Sequence, residues 1–242
     1  MKEKIIHTIF CLLFSVFCFA QPKQNVNPNG YNKFFYENGK ISSEGMMRDG
    51  KPDGYWKTYS TNGILKSEGN RKNFQLDSIW IFYSDKGKRT AEINYANGKK
   101  NGIKKSYNEE EKLVSEENYS DDIRQGVTKH YFSSEKIKMI VNFDKGKEDG
   151  IGYEYDEQGT IISLIEYKVG FIRAQEKINR KDKIGLKQGK WKEFYETETP
   201  PDGKHRIKNE CLYADDKKHG YCKEYSTQGN LLTVTKFIFG KE

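Results

Sequence analysis

Catalytic and metal-binding signatures are what this 242-residue chain lacks. It has no phosphate-binding loop, no nucleophile motif and no Cys-x-x-Cys pair. His130, His205 and His219 are scattered, with neither a metal-ligand spacing nor a paired cysteine. Carboxylates are abundant, yet no two of them stand out as an acid–base dyad. No enzyme, cofactor or metal site is therefore expected. Apolar residues are scarce too, at 35%, and the long apolar run lies at the start, from Ile5 to Ala20.

That run follows Met1-Lys2-Glu3-Lys4 and ends at Cys18-Phe19-Ala20, before the chain turns polar at Gln21. A basic start, an apolar centre too short for a spanning helix and a small-x-small end predict a signal peptide over residues 1–20. An uncleaved membrane anchor is the alternative. Phe17 before Cys18 and Phe10 before Cys11 argue against a lipid-modified cysteine. The expected location is periplasmic, outer-surface or secreted. Export would leave Cys211 and Cys222 as the remaining cysteines, in an oxidising compartment. A formal charge of +7 in a chain that is 32% charged fits a solvated surface better than a polyanion groove, and nucleic acid is not an expected partner.

What the chain does have is periodicity. Its 16 Tyr, 14 Phe and 3 Trp fall in register, which sets it apart from a disordered polar sequence. Gly30, Gly54, Ser78, Gly102, Gly126 and Gly150 lie 24 residues apart, each followed five places later by Phe35, Tyr59, Tyr83, Tyr107, Tyr131 or Tyr155. Such a period marks a repeat array. In the unit Gly54 to Asp77, strand-like pieces flank Asn62-Gly63, which predicts a hairpin with a type I′ turn. A second turn, as at Asp49-Gly50 or Asn97-Gly98, joins successive units.

With Gly54 as position 0, this register sets position 3 opposite 14 and position 2 opposite 15. Lys33 then faces Glu44, Lys57 faces Glu68 and Lys105 faces Glu116, each pair contributing about 0.2–1 kcal/mol. Trp56 faces Gly69, whose bare backbone a ring can cover. Neither strand face is wholly apolar. The expected fold is all-β: after a linker at 21–29, an elongated single-layer antiparallel β-meander of about eight hairpin repeats spans 30–242.

Units three to five depart from the pattern, with Ser78 at the glycine position, Glu111 and Glu135 at the turn glycine, and Lys104 and Thr128 where tryptophan stood. Insertions interrupt the period near 171–187 and 196–206. The first carries Arg173, Lys177, Arg180, Lys181, Lys183 and Lys187 against Glu176 and Asp182. It reads either as a basic surface for an anionic partner or as a solvated hairpin or loop. The second, with Pro200-Pro201 and Asp202-Gly203, reads as a lengthened turn. Cys211 at position 15 and Cys222 at position 2 of the next unit fall cross-strand, where Gly45 and Trp56 stand elsewhere. A disulfide there would staple the C-terminal hairpin by about 2–3 kcal/mol; two reduced packing thiols are the alternative.

The run Phe35-Tyr36-Glu37-Asn38-Gly39-Lys40, Ser43-Glu44-Gly45, Asp49-Gly50-Lys51 and Asp53-Gly54-Tyr55-Trp56 resembles the variant MORN repeat of YwqK-family antitoxins. The resemblance implies a β-hairpin array serving as an interaction module, and it carries over no catalytic residue. The expected function is that of an exported, non-enzymatic scaffold that binds another protein. One alternative is binding of an envelope polymer or an anionic membrane surface through Trp56, Trp80 and Trp191, with Lys57 and Lys192 beside them. A second alternative, an antitoxin or immunity-like protein neutralising a partner toxin, rests on the resemblance alone.

Overall fold

The computed structural model describes residues 25–196, 200 and 202–242. The expected signal peptide at 1–20 and the first part of the expected linker lie outside the described residues. Two turns in each period of alternating residues produce hairpins that succeed one another without a crossover. A 15-stranded sheet runs in chain order from Tyr31–Phe35 to Phe171–Lys177. A 6-stranded sheet follows, from Arg180–Lys181 to Leu231–Phe237. Neighbouring strands are antiparallel throughout, and the described residues contain no helix.

The strand register is the expected one. Lys33 pairs with Glu44, Lys57 with Glu68, Lys105 with Glu116, and Trp56 with Gly69. The turn chemistry is not. A type I′ turn needs two successive left-handed residues, and these occur at the joint between units, where Asp49 and Gly50 have φ of 49° and 72° and Arg48 pairs with Lys51. At Asn62-Gly63 only the glycine is left-handed, with φ 85°. The Gly63 amide donates to the Ser60 carbonyl at 2.8 Å, and Tyr59 pairs with Leu65. This is a type I turn closed by a left-handed residue, and its bulge shifts the ladder by one place beyond Thr58–Ser67. The inner pairs keep their partners, so side-chain complementarity gave the right register with the wrong turn. Glu111 and Glu135 take up the same left-handed geometry, at φ 60° and 61°.

The single layer extends through the N-terminal hairpins and changes character toward the C-terminus. The 171–187 segment is not a loop: it carries two strands, and its second half is a hairpin with an exposed turn, in which Arg180 and Lys181 pair with Gln188 and Lys187. Phe171–Lys177 is the last strand of the large sheet, and Arg180–Lys181 is the first of the small one. Asn179, with φ 53°, turns the chain between them. Its side-chain amide donates to the carbonyls of Ile161 and Lys192, both at 2.9 Å, and its Oδ1 accepts from the Lys192 amide at 2.7 Å. One asparagine thus ties both sheets where the backbone ladder is interrupted.

Beyond this joint the chain folds back over the large sheet. Ile140, Tyr153, Tyr155, Ile161 and Ile178 form a buried cluster, with Phe194 packed against it. His205 Nε2 lies 2.7 Å from the Tyr155 hydroxyl, and the His205 amide donates to the Tyr153 hydroxyl at 3.2 Å. The segment expected as a lengthened turn is therefore, in its described part, the cover of a local second layer. The sequence carries a signal for this. Opposed positions 3 and 14 change from lysine–glutamate in the early units to Lys129–Ile140 and Tyr153–Leu164, so apolar side chains replace the charge ladder where that face is covered.

Candidate interaction surface

Positions 1, 3, 5 and 14 share one face of the array. The Tyr59 hydroxyl donates to Glu44 at 2.6 Å, Tyr83 to Glu68 at 2.5 Å and Tyr131 to Glu116 at 2.7 Å. The ammonium groups of Lys33, Lys57 and Lys105 each stand 3.7 Å from the same three carboxylates. Each glutamate thereby links a lysine of its own unit to a tyrosine of the next. The Tyr59 hydroxyl is the main influence holding Glu44 below the usual carboxylate range, against a smaller opposing effect of burial. At Glu68 burial is largest and pushes upward, but the hydroxyls of Tyr83 and Tyr55 and the Lys57 ammonium together outweigh it. Tyr55 in turn is pushed up to about 12 by burial and by Glu68.

On this same face, position 1 holds Tyr31, Tyr55, Ile79 and Ile103, each between 41% and 54% exposed. They occupy alternate strands, and so form a row with a spacing of roughly 10 Å. The next member, Val127, is covered: a Cβ on Gly203 would come within 2.9 Å of its side chain. The chain's own return segment therefore occupies the row at Val127, while Ile151, the member after it, is exposed again at 41%. Composition did not reveal this stripe; the signal was the recurrence of an apolar or aromatic residue immediately after each position-0 residue.

The opposite face corrects the expectation for two tryptophans. Trp56 and Trp80 are 5% and 2% exposed and are not platforms for a ligand. The Trp80 ring lies on Gly69 and the Trp56 ring on Gly45, so close that a Cβ at either glycine would fall 2.6 Å from the ring. Their indole nitrogens donate to the carbonyls of Asn70 at 2.6 Å and Met46 at 2.8 Å. Each ring covers the glycine of the preceding unit, so the atoms nearest a Cβ on Gly69 are those of Trp80 and not of its hairpin partner Trp56. Where position 15 carries a side chain, the next tryptophan is gone: Ile93 meets Lys104, and Glu117 and Val141 lie in line with Thr128 and Gly152. At Glu117 burial pushes the carboxyl upward, but Tyr119, Lys104 and Arg124 outweigh it and hold it low. The same inter-unit place holds Cys211 and Cys222, with sulfurs at disulfide distance and Cα atoms 4.2 Å apart.

The joint between the sheets forms the third feature, an open cleft of about 740 Å³. It brings together Lys177, Arg180, Lys181, Lys187 and Trp191 from the sequence-predicted surface. Arg173 and Lys183 are outside its wall: Arg173 is exposed on the edge strand Phe171–Lys177, and Lys183 on the turn between Arg180–Lys181 and Lys187–Phe194. Among the described residues these four cleft cations form no ion pair. Lys190 and Lys192 differ, both being paired with Glu176, and Lys192 also with Glu210 at 3.2 Å. Trp191 is half-buried beneath the Lys187 ammonium, 4.5 Å from its ring, and its Nε1 is buried with no hydrogen-bond partner among the described residues. Glu154 and Asp156 are the acidic members of the wall. Asp156 is engaged in its own turn, accepting from the amides of Gln158 and Thr160.

No group of three or more His, Cys, Asp or Glu among the described residues is arranged to hold a metal ion. None of the described residues forms a helix long and apolar enough to cross a membrane. Fold and surface together define a β-hairpin repeat array whose contact chemistry recurs unit by unit. Four of its segments, 28–49, 52–73, 100–121 and 148–168, match the MORN repeat variant, a repeat type that commonly serves in protein or membrane interaction. The stretches between the matches include the irregular Ser78, Thr128 and Glu135. No curated protein matches the chain.

Proposed function

We propose that this protein is an exported, non-enzymatic scaffold that binds another protein along the Tyr31–Tyr55–Ile79–Ile103 row. One observation carries the reading: the same row is covered by protein farther along, where the segment around Gly203 lies on Val127, and it is bare over the first four units. A line of apolar side chains flanked by lysine–glutamate pairs suits an amphipathic protein surface, with apolar contact supplying affinity and the charges fixing register. Burial of Trp56 and Trp80 removes two of the three rings on which a polymer- or membrane-binding platform would depend. Export rests on residues 1–20 and on the pairing of the two remaining cysteines.

The test is crosslinking followed by pull-down from the envelope fraction, with the full chain and a Tyr55→Ser/Ile79→Ser/Ile103→Ser variant. A discrete protein captured by the first and lost at least about 10-fold by the second is expected, since interface anchors dominate binding energy. Capture of lipid or glycan alone, or equal capture by both chains, would overturn the proposal.

A further inference from the structure

Resting on that reading of the array as a protein-binding scaffold, we infer that the cleft between the two sheets receives an extended, acidic segment of the bound protein. Charge is the first argument. Lys177, Arg180, Lys181 and Lys187 converge on one cleft with no carboxylate paired to any of them among the described residues, whereas the adjacent Lys190 and Lys192 are neutralised within the chain. Unpaired cations concentrated in a concave site raise the local concentration of anionic groups and steer them inward.

The backbone is the second argument. Phe171–Lys177 terminates the large sheet and Arg180–Lys181 begins the small one, so each has a strand neighbour on one side only. Lys177 at the end of the first strand and Arg180 and Lys181 of the second line the cleft, and free strand edges offer amides and carbonyls to an extended chain. A peptide in that conformation presents alternate side chains to one side, roughly 7 Å apart, so its carboxylates arrive singly. Trp191 adds an apolar ring and, in its Nε1, an unused hydrogen-bond donor beneath the cleft.

The acids in the wall decide between ligand classes. Glu154 and Asp156 would repel a dense polyanion such as a polyphosphate chain or a charged lipid surface, because like charges at close range are unfavourable. Carboxylates spaced along a peptide can meet the cations and avoid the two acids.

The experiment uses Trp191 fluorescence in the full chain at low ionic strength, with Trp56 and Trp80 buried as constant background. The probes are a ten-residue peptide of alternating glutamate and threonine, its glutamine counterpart, tripolyphosphate and phosphatidylglycerol vesicles. Saturable binding of the glutamate peptide is expected, tighter than that of every other probe. Arg180→Glu/Lys181→Glu should weaken it by at least about 10-fold, and so should the gentler Lys177→Gln/Lys187→Gln. Lys51→Glu/Lys99→Glu, the same charge change on exposed positions of the array, should leave it within about 2-fold, as expected for distant surface charges. Equal loss in the cleft and array variants, or preference for tripolyphosphate or vesicles, would overturn the assignment. The two proposals fail separately: a cleft variant that captures the partner as well as wild type removes the cleft and leaves the scaffold. A peptide that binds while the row variant captures normally does the reverse.

Discussion

Gly69 owes its identity to the ring of Trp80, which leaves no room for a methyl group. Gly69→Ala should cost about 1–3 kcal/mol, the usual range for overpacking, seen as a lower urea midpoint. Glu135 has the opposite problem. It holds a left-handed turn position, φ 61°, that glycine fills in other units, and the strain of an L-residue there exceeds the extra chain entropy of glycine. Glu135→Gly should raise stability by about 0.5 kcal/mol in the same assay. His205 gives a pH dependence. Burial pushes its pKa below the ordinary 6.5, so the unfolded chain binds the proton more readily than the folded one. The stabilisation is complete above about pH 6.5 and is lost as the pH falls through that value toward the folded pKa. His130 is lowered by burial as well and has the same sign. A His130→Gln/His205→Gln variant should show a flatter stability profile between about pH 5 and 7.

Among the elements, what could be read in advance depended on whether side chains or backbone decided the outcome. Lys57–Glu68 and Trp56–Gly69 fixed the strand pairing because opposed side chains report register directly. Asn62 misled because Asn-Gly is compatible with two turn types, and the ladder length that separates them is a backbone property. The tryptophan faces were ambiguous, since positions 1 and 2 are both apolar; the glycine of the preceding unit settles which one is buried. The cleft was half legible. Its basic residues stood out, but their convergence depends on Asn179 bridging two sheets, which no local pattern announces. The cysteine hairpin was legible through register alone. Titration of the denatured, unreduced protein should find no free thiol, and Cys211→Ser/Cys222→Ser should lower stability by about 2–3 kcal/mol for so short a loop.

At the scale of the molecule, hairpins that touch mainly their neighbours should share stability locally. In a Gly69→Ala variant, hydrogen exchange should quicken in strands Lys51–Tyr59 through Gln75–Tyr83 and stay unchanged at Ile140 and Tyr153. The break at Asn179 has a mechanical meaning. Up to Lys177 the strands are laced by a continuous ladder, while at the joint successive amides change partner, Ile178 donating to Ile162 and Asn179 to Lys190. The rest of the connection is the Asn179 side chain, the Glu176 contacts to Lys190 and Lys192, and the packing around Ile178 and His205. If the row of hairpins were held at one end and pulled at the other, the long sheet would bear the load as a stiff beam. The joint would yield first, letting the small sheet swing as an arm while the beam kept its shape.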